Sequence, residues 1–349
     1  MEVQKMDKLK VLIVGAGGIA RTHMAGYQKL SDFEIVAACD VFEPGLNKFC
    51  DDYKIAKRYT SFEEAINDPE INAVDICTRN DTHCTYAVAA LERDLNVIVE
   101  KPMGRNAKEA QAVVDAAAKS KGICMVAFCT VFSAQTKVVK EFIDDGTFGN
   151  LYYCKGTFVR RMGPGGWFRN KEIAGGGAVV DMVSHPVSRL RYLMGFPKPV
   201  SVYAMACNGI GNRFLKVSKA DLSTSDVDDF GAAMIRFDNG VVLHLEVSHN
   251  QHVETRNETE LFGSKAGMKM IGNDLKIYTE HNGYIVDMVP GYLANLEKGH
   301  DQYAAELAHF ADCCLRGAKC LCPAEDGLIV NQIIDAIYES AETGHEVIL

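Results

Sequence analysis

Lys10-Val11-Leu12-Ile13-Val14 is an apolar run of one buried strand's length, and Gly15-Ala16-Gly17-Gly18-Ile19-Ala20 follows it directly. No other feature constrains the chain as much. A backbone that leaves a buried strand, turns without Cβ atoms and enters a helix presents the helix's first N–H groups and its positive dipole end to a pyrophosphate. Gly15, Gly17, Gly18 and Ile19 are therefore candidate cofactor-binding positions. Asp40 ends the next apolar run, Phe33 to Cys39. An acid about 20 residues beyond such a turn can accept hydrogen bonds from the ribose hydroxyls and repels a 2′-phosphate. Val41 and Phe42 follow it, with no adjacent arginine, so the expected cofactor is NAD, with NADP the alternative.

The alternation set up at Lys10 continues. Ala73–Cys77, Asn96–Val99 and Ile123–Phe128 read as strands, separated by helical stretches over 82–93 and 107–121. Buried strands alternating with helices of 10–15 residues predict βαβ units and a parallel sheet. Beyond about residue 150 the pattern changes to strands over 152–160, 200–207, 230–237 and 241–248. Asp238-Asn239-Gly240 and His281-Asn282-Gly283 carry the Asn-Gly pair whose positive φ angles suit tight hairpins. Helices are expected near 178–194, 301–316 and 325–343. The predicted fold is α/β: an N-terminal Rossmann dinucleotide-binding domain over 7–128, then a C-terminal α+β domain over 129–349 with an open, mostly antiparallel sheet. The polar, acid-rich stretch from Lys216 to Asp229 reads as a solvated loop.

Composition narrows the partners. Thirty-seven basic against 46 acidic residues give a net charge of −9, with no basic run, which argues against nucleic acid and anionic lipid. The start of the chain lacks a signal-type apolar stretch, and no run approaches a membrane span. A cytoplasmic protein without a membrane partner is expected. Twelve cysteines are too sparse for a disulfide scaffold. The nearest sets, Cys313-Cys314 and Cys320-Leu321-Cys322, lack paired C-x2-C spacing, so reduced thiols and no metal are expected.

Two further segments carry chemistry. Glu100-Lys101-Pro102 follows a buried strand, and ligands of open α/β sheets bind beyond the strands' carboxyl ends. An ammonium at Lys101 can stabilise an alkoxide or donate a proton; a structural Glu–Lys strand end is the alternative. Asp181 and His185 are four apart after Gly175-Gly176-Gly177, so on one helix they share a face. A carboxylate-oriented imidazole is a general base, although Pro186 should kink the helix there, and a satisfied buried histidine is equally compatible. The loop Met162 to Arg169 surrounds the only tryptophan and reads as a lid or a plain surface loop. His249 and His252 are candidate substrate contacts.

Taken together, the glycine turn at 15–20, Ile76-Cys77-Thr78-Arg79-Asn80 with Asp81-Thr82-His83, Glu100-Lys101-Pro102, and Gly175 to His185 with its Asp-x3-His spacing resemble the Gfo/Idh/MocA oxidoreductases over nearly the whole chain. The resemblance implies hydride transfer between a nicotinamide and a secondary alcohol carbon, commonly on a sugar or cyclitol. It implies Lys101 on the reacting hydroxyl, His185 as general acid/base and Asp181 positioning substrate or histidine. Thr78, Asn80, His83 and Glu100 would border the nicotinamide, joined by Trp167 and Arg169. A homodimer or homotetramer through the C-terminal sheet is implied as well. The chain departs from the family at Arg79, where proline is common, and at Cys129-Thr130-Val131-Phe132, where Asn-x-Arg is common; Arg160 or Arg161 would supply the missing arginine. Pro186 is a further local difference. The departures bear on substrate more than on reaction class. The alternatives are a tightly bound NAD recycled in sugar redox exchange or glycoside processing, and a non-catalytic nicotinamide sensor.

Overall fold

The computed structural model describes residues 8–210, 224–272, 274–291 and 301–349. The opening residues 1–7, and the part of the expected solvated loop that spans 216–223, lie outside them. The contacts divide the chain into two compact units, 1–104 with 108–129 and 300–328, and 105–107 with 130–299 and 329–349. The sequence reading placed all of 129–349 in one domain. Here the segment 300–328 groups with the first unit instead.

In the first unit β1 (Leu9–Val14), β2 (Phe33–Cys39), β3 (Lys57–Tyr59), β4 (Ala73–Ile76), β5 (Asn96–Glu100) and β6 (Cys124–Ala127) form a sheet of order β3-β2-β1-β4-β5-β6. Every pairing in it is parallel. Val11, Ile13, Val74, Ile76, Val97, Ile98 and Val126 have no exposed surface, which explains why these strands read as unbroken apolar runs. Helices α1 (Gly18–Tyr27), α2 (Glu43–Tyr53), α3 (Phe62–Ala65), α4 (Asn80–Leu91) and α5 (Ala107–Ala117) connect them. The order reverses between β1 and β4, the switch point where such sheets bind ligands. The edge strand β6 is covered by the returning chain: Val126 N–H donates to Cys322 O at 2.8 Å, and Met125 bridges Pro323. A paired edge offers no template for aggregation.

The second unit holds α6 (Ala134–Asp144), α7 (Lys171–Ala174), α8 (Ala178–Met182), α9 (Ser184–Leu193) and strands β7 to β15. Its nine-stranded sheet has the order β14-β13-β12-β11-β7-β10-β9-β8-β15, with β7 Leu151–Val159, β8 Pro199–Cys207, β9 Phe230–Phe237, β10 Val242–Ser248, β11 Arg256–Gly263, β12 Ala266–Ile271, β13 Asp274–His281, β14 Tyr284–Met288 and β15 Val347–Ile348. Only β7 and β10 pair in parallel; the other pairings are antiparallel. Both expected hairpins form. Asn282 and Gly283 have φ of 52° and 80° in a two-residue turn. At the other, only Gly240 is left-handed, at φ 83°, so that hairpin closes through a longer turn with one αL residue. Alternation along the strands buries one face and leaves the other open. Tyr203 pairs with Met234, Met234 with His244, and His244 with Lys155 along a row of that open face.

The last two helices are α10 (Gln302–Arg316) and α11 (Ala324–Thr343). Among the described residues, no helix is long and apolar enough to cross a membrane.

Candidate active site

The phosphate turn separates its glycines by purpose. Gly15 sits at φ +93°, and a Cβ there would lie 2.6 Å from Cys77 O, so packing alone demands glycine. Cβ atoms at Gly17 and Gly18 would meet nothing within 4 Å. Gly17 caps α1 without a side-chain hydrogen bond. The helix start thus keeps bare N–H groups facing open space, a cradle that side chains would fill and that a pyrophosphate fits. Asp40 accepts from Ala16 N–H at 2.7 Å and from Phe42 N–H at 2.8 Å, one bond to each oxygen. Its carboxylate ties the turn to the end of β2 and retains lone pairs for ribose hydroxyls.

At the carboxyl end of β5, Glu100 is buried and accepts the backbone N–H of Lys101 at 3.0 Å through Oε2. Its Oε1 lies 3.3 Å from His23 Nε2. The His23 Nδ1 contacts Asp75 at 2.9 Å, and Tyr27 and Cys77 donate to the same carboxylate at 3.0 and 3.3 Å. A fully buried aspartate in the middle of β4 is tolerable because three neighbours satisfy it. Burial opposes the charged form of His23, but the Asp75 carboxylate and Cys77 outweigh it and hold this imidazole well above its usual range. The Lys101–Pro102 peptide is cis. His83 braces this junction from α4, with Nδ1 2.7 Å from Pro102 O and Nε2 3.1 Å from Thr78 O. Burial lowers the His83 pKa despite both carbonyls, and the neutral ring donates to only one of them. Thr78 also accepts from Thr82 Oγ1 at 2.8 Å, and Asn80 is buried in the first turn of α4. His83, expected at the cofactor's border, steadies the turn that carries Lys101.

The second unit contributes a separate group. The expected helix over 178–194 is present as α8 and α9, and Val183 between them is itself helical, its N–H donating to Val179 O and its O accepting from Val187 N–H, both at 3.2 Å. Pro186 falls in the first turn of α9, where a missing N–H costs little. Asp181 therefore lies on α8 and His185 on α9. The Asp181 carboxylate contacts His249 Nε2 at 2.9 Å, and His249 sits just past β10, its backbone N–H donating to Asp229 O at 2.9 Å. The shared-face spacing in the sequence points to His185; the carboxylate bonds His249, 68 residues away in sequence. His185 packs edge-on against Phe158, centroids 5.4 Å apart, and its carbonyl accepts from Thr130 Oγ1 at 3.0 Å. It lines a small pocket of about 20 Å³ with Thr157, Arg189, Asn257 and Thr259.

One residue that sequence reasoning missed holds this arrangement. Asp228 accepts from Gly177 and Val179 N–H at 2.8 and 2.9 Å and from Tyr338 Oη at 2.6 Å. It caps α8 from a distance, and a Cβ on Gly177 would lie 1.8 Å from Asp228 O. Asp229 likewise accepts from Gly209 and Ile210 N–H. The end of the stretch expected to be a solvated loop is therefore an anchor. Its only sequence signal was a pair of acids before a strand.

The loop around Trp167 is built rather than bare. Trp167 stacks on Phe168 at 3.8 Å, and buried Arg169 donates through Nε to Thr224 O at 2.9 Å. With Asn170, Ile173 and Asp226 they line a pocket of about 1050 Å³ open to solvent. Gly163 passes against His249 and donates to Asn250 Oδ1 at 3.2 Å, so the loop and the Asp181–His249 pair are neighbours. Arg160 lies over the Phe158 ring at 5.0 Å, whereas His252 is exposed.

Residues 9–128 match the model of the oxidoreductase family with an NAD-binding Rossmann fold (GFO_IDH_MocA), and residues 136–269 match the GFO/IDH/MocA C-terminal domain. The chain is 29% identical over 347 residues to D-glucoside 3-dehydrogenase of Escherichia coli K12, covering 97% of each. It is 30% identical over 279 residues to levoglucosan dehydrogenase of Pseudarthrobacter phenanthrenivorans, covering 71% of this chain and 69% of the relative. The solved structure of levoglucosan dehydrogenase in complex with NADH is similar at a TM-score of 0.88 and 25% identity, over 98% of this chain and 99% of that one.

Proposed function

The chain belongs to the Gfo/Idh/MocA family of NAD-binding oxidoreductases, and from that premise we propose that it oxidises a secondary ring hydroxyl of a sugar, cyclitol or glycoside with NAD, reversibly. One observation carries the reading: a lysine stands at the carboxyl end of β5, its backbone fixed by Glu100 and by His83 through Pro102, in a sheet whose switch point suits a dinucleotide. The names of the two relatives above support a pyranose-type substrate.

Gly15, Gly17, Gly18, Ile19 and Asp40 would hold the adenosine and pyrophosphate half of the cofactor, with Thr78, Asn80 and Glu100 toward its nicotinamide. Bound NAD supplies a hydride acceptor for the carbinol carbon. Lys101 hydrogen-bonds the reacting hydroxyl and stabilises negative charge on its oxygen. His185 removes the hydroxyl proton. Asp181, held by His249, orients the substrate's neighbouring hydroxyls. Trp167 and Arg169 are assigned to the nicotinamide side of the cofactor, and Arg160, His249 and His252 to the substrate. A screen of monosaccharides, inositols and glycosides with NAD, read by NADH absorbance and by mass detection of keto products, tests the proposal; no keto product from any of them defeats it. Keto product without net NADH would instead favour the recycling alternative.

Asp40→Ser tests cofactor choice. Removing the carboxylate removes both a ribose acceptor and the repulsion of a 2′-phosphate. Contacts of this kind, about 1.5–3 kcal/mol, correspond to about 10–100-fold. The NAD/NADP ratio of kcat/KM is expected to fall by that factor, and an unchanged ratio counts against the ribose role.

The open face of the nine-stranded sheet is assigned to self-association. Tyr203, Met205 and Met234 are 56%, 50% and 41% exposed on neighbouring strands, an apolar patch of the kind that marks an interface. Met234→Glu, at an exposed position that folding does not need, is expected to turn a dimer or tetramer into monomers by light scattering. An unaltered mass moves the interface elsewhere.

A further inference from the structure

The C-terminal end of α10 and the loop after it bring three metal-ligating side chains to one spot, in the part of the first unit that the proposed chemistry does not use. His309 and Cys313 are four apart on α10 and share a face. The helix ends at Gly317, in the left-handed conformation at φ 69°, and the chain turns back so that Cys320 reaches the same face. The ligand atoms of His309, Cys313 and Cys320 all lie within 4.8 Å of one another, and Cys313 Sγ is 3.4 Å from His309 Nε2. A tetrahedral ion with bonds of about 2.0–2.3 Å to nitrogen and sulfur needs ligand separations of this order. His309 and Cys320 are only partly buried, so a hydrated ion has access.

We propose that His309, Cys313 and Cys320 form a binding site for a thiophilic divalent cation of the zinc class, with the fourth position taken by solvent. The donor set selects the metal: two thiolates and an imidazole favour zinc, cadmium or cobalt over magnesium or calcium, which prefer oxygen. Two thiolates balance a dication, whereas without it they resist sharing a site. Loading also has a visible cost. His309 Nε2 accepts Leu321 N–H at 3.0 Å, and the metal takes that lone pair, so this hydrogen bond breaks on binding. The ion would pin the end of α10 to the segment whose Cys322 carbonyl closes the edge of β6. Its role would be to cross-link the helix end to the following loop, although the solvent position departs from the four protein ligands usual in structural zinc sites.

The test uses the reduced, metal-free full chain titrated with Co(II), then with Zn(II). The native protein is expected to show the thiolate-to-cobalt charge-transfer band and the strong visible bands of tetrahedral cobalt, saturating at one ion per chain and bleached by zinc. C313S and C320S should each lose most of the charge-transfer intensity. H309A should weaken zinc binding by at least the roughly 10–100-fold seen when even a supporting residue is removed from a metal site. Alkylation mapping of the native chain needs no substitution: zinc should protect Cys313 and Cys320 and leave Cys84 reactive. Absent cobalt bands, bands that persist in C313S, or equal alkylation of Cys313 and Cys320 with and without zinc would each overturn the proposal. So would a Cys313–Cys320 disulfide that forms in air and is not prevented by zinc, which would make the cluster a redox pair.

Discussion

Lys101→Met is expected to lower kcat by about 10²–10⁴-fold, the range for removing a positioned acid or an electrostatic stabiliser of a developing oxyanion, while NAD affinity changes by less than about threefold. Methionine keeps the length and apolar stem of lysine and removes only the ammonium. The groups that shape the junction bind its backbone instead: Glu100 Oε2 accepts the residue-101 N–H, and His83 reaches Pro102 O. Neither is lost in the variant, and neither the glycine turn nor Asp40 is touched. Cofactor binding read by nicotinamide fluorescence and turnover read by NADH formation should therefore separate. If both fall together, Lys101 supports the cofactor rather than the alcohol. If turnover survives, the chemistry assigned to this lysine is wrong. Lys101→Arg sharpens the comparison, because it retains a charge in a broader, planar geometry; recovery above Met but below the native chain is expected.

The features legible in the sequence are those written in local pattern. The strand, glycine turn and helix at 10–27 need only contiguous residues, as do the buried runs of β4, β5 and β6 and the Asn282-Gly283 hairpin. The parallel pairing of the first sheet followed from them, whereas the short strand β3 gave no such run. The strands β11 to β13 were not singled out, because Arg256–Gly263 and Asp274–His281 mix charged and apolar residues on a half-open sheet and give a weaker period-two signal than a buried strand. What escaped entirely was pairing at long range. Asp181 was matched to His185 because helical spacing was the only geometry a sequence offers. The backbone stays helical through Val183, but no local spacing shows that a histidine from the far end of β10 will bond the same carboxylate. Asp228 looked like one acid in a solvated run, since nothing local shows that two amides of α8 will point at it. The same holds for His309, Cys313 and Cys320: their spacing matches no linear metal motif, and only the turn at Gly317 brings Cys320 back. Grouping 300–328 with the first unit was equally hidden, because an amphipathic helix does not declare which sheet it covers.

His185→Ala is the second variant from which a loss of about 10²–10⁴-fold in kcat is expected, the contribution of a general base. Two histidines of the second unit, His185 and His249, are candidates for that base, and they stand in different surroundings. His249 has one ring nitrogen committed to Asp181 at 2.9 Å, and its side chain is 5% exposed. Its bond fixes a carboxylate, which is a positioning task. His185 is anchored through its carbonyl by Thr130 and Ser188 and packs against the Phe158 ring. The pH profile separates the roles in a way that a loss of activity does not. A base must be unprotonated to work, so kcat/KM should rise with pH along an acidic limb set by that imidazole. Alanine at 185 should remove the limb as well as the rate. His249→Asn should cost less, about 10–100-fold from misplacement of Asp181, fall mainly on KM, and leave the limb intact. Asp181→Asn combined with His249→Asn should be no worse than the stronger single variant, because both remove one shared bond. If the limb vanishes in His249→Asn and persists in His185→Ala, the Asp181–His249 pair is the catalytic base, and His185 is a wall of its pocket.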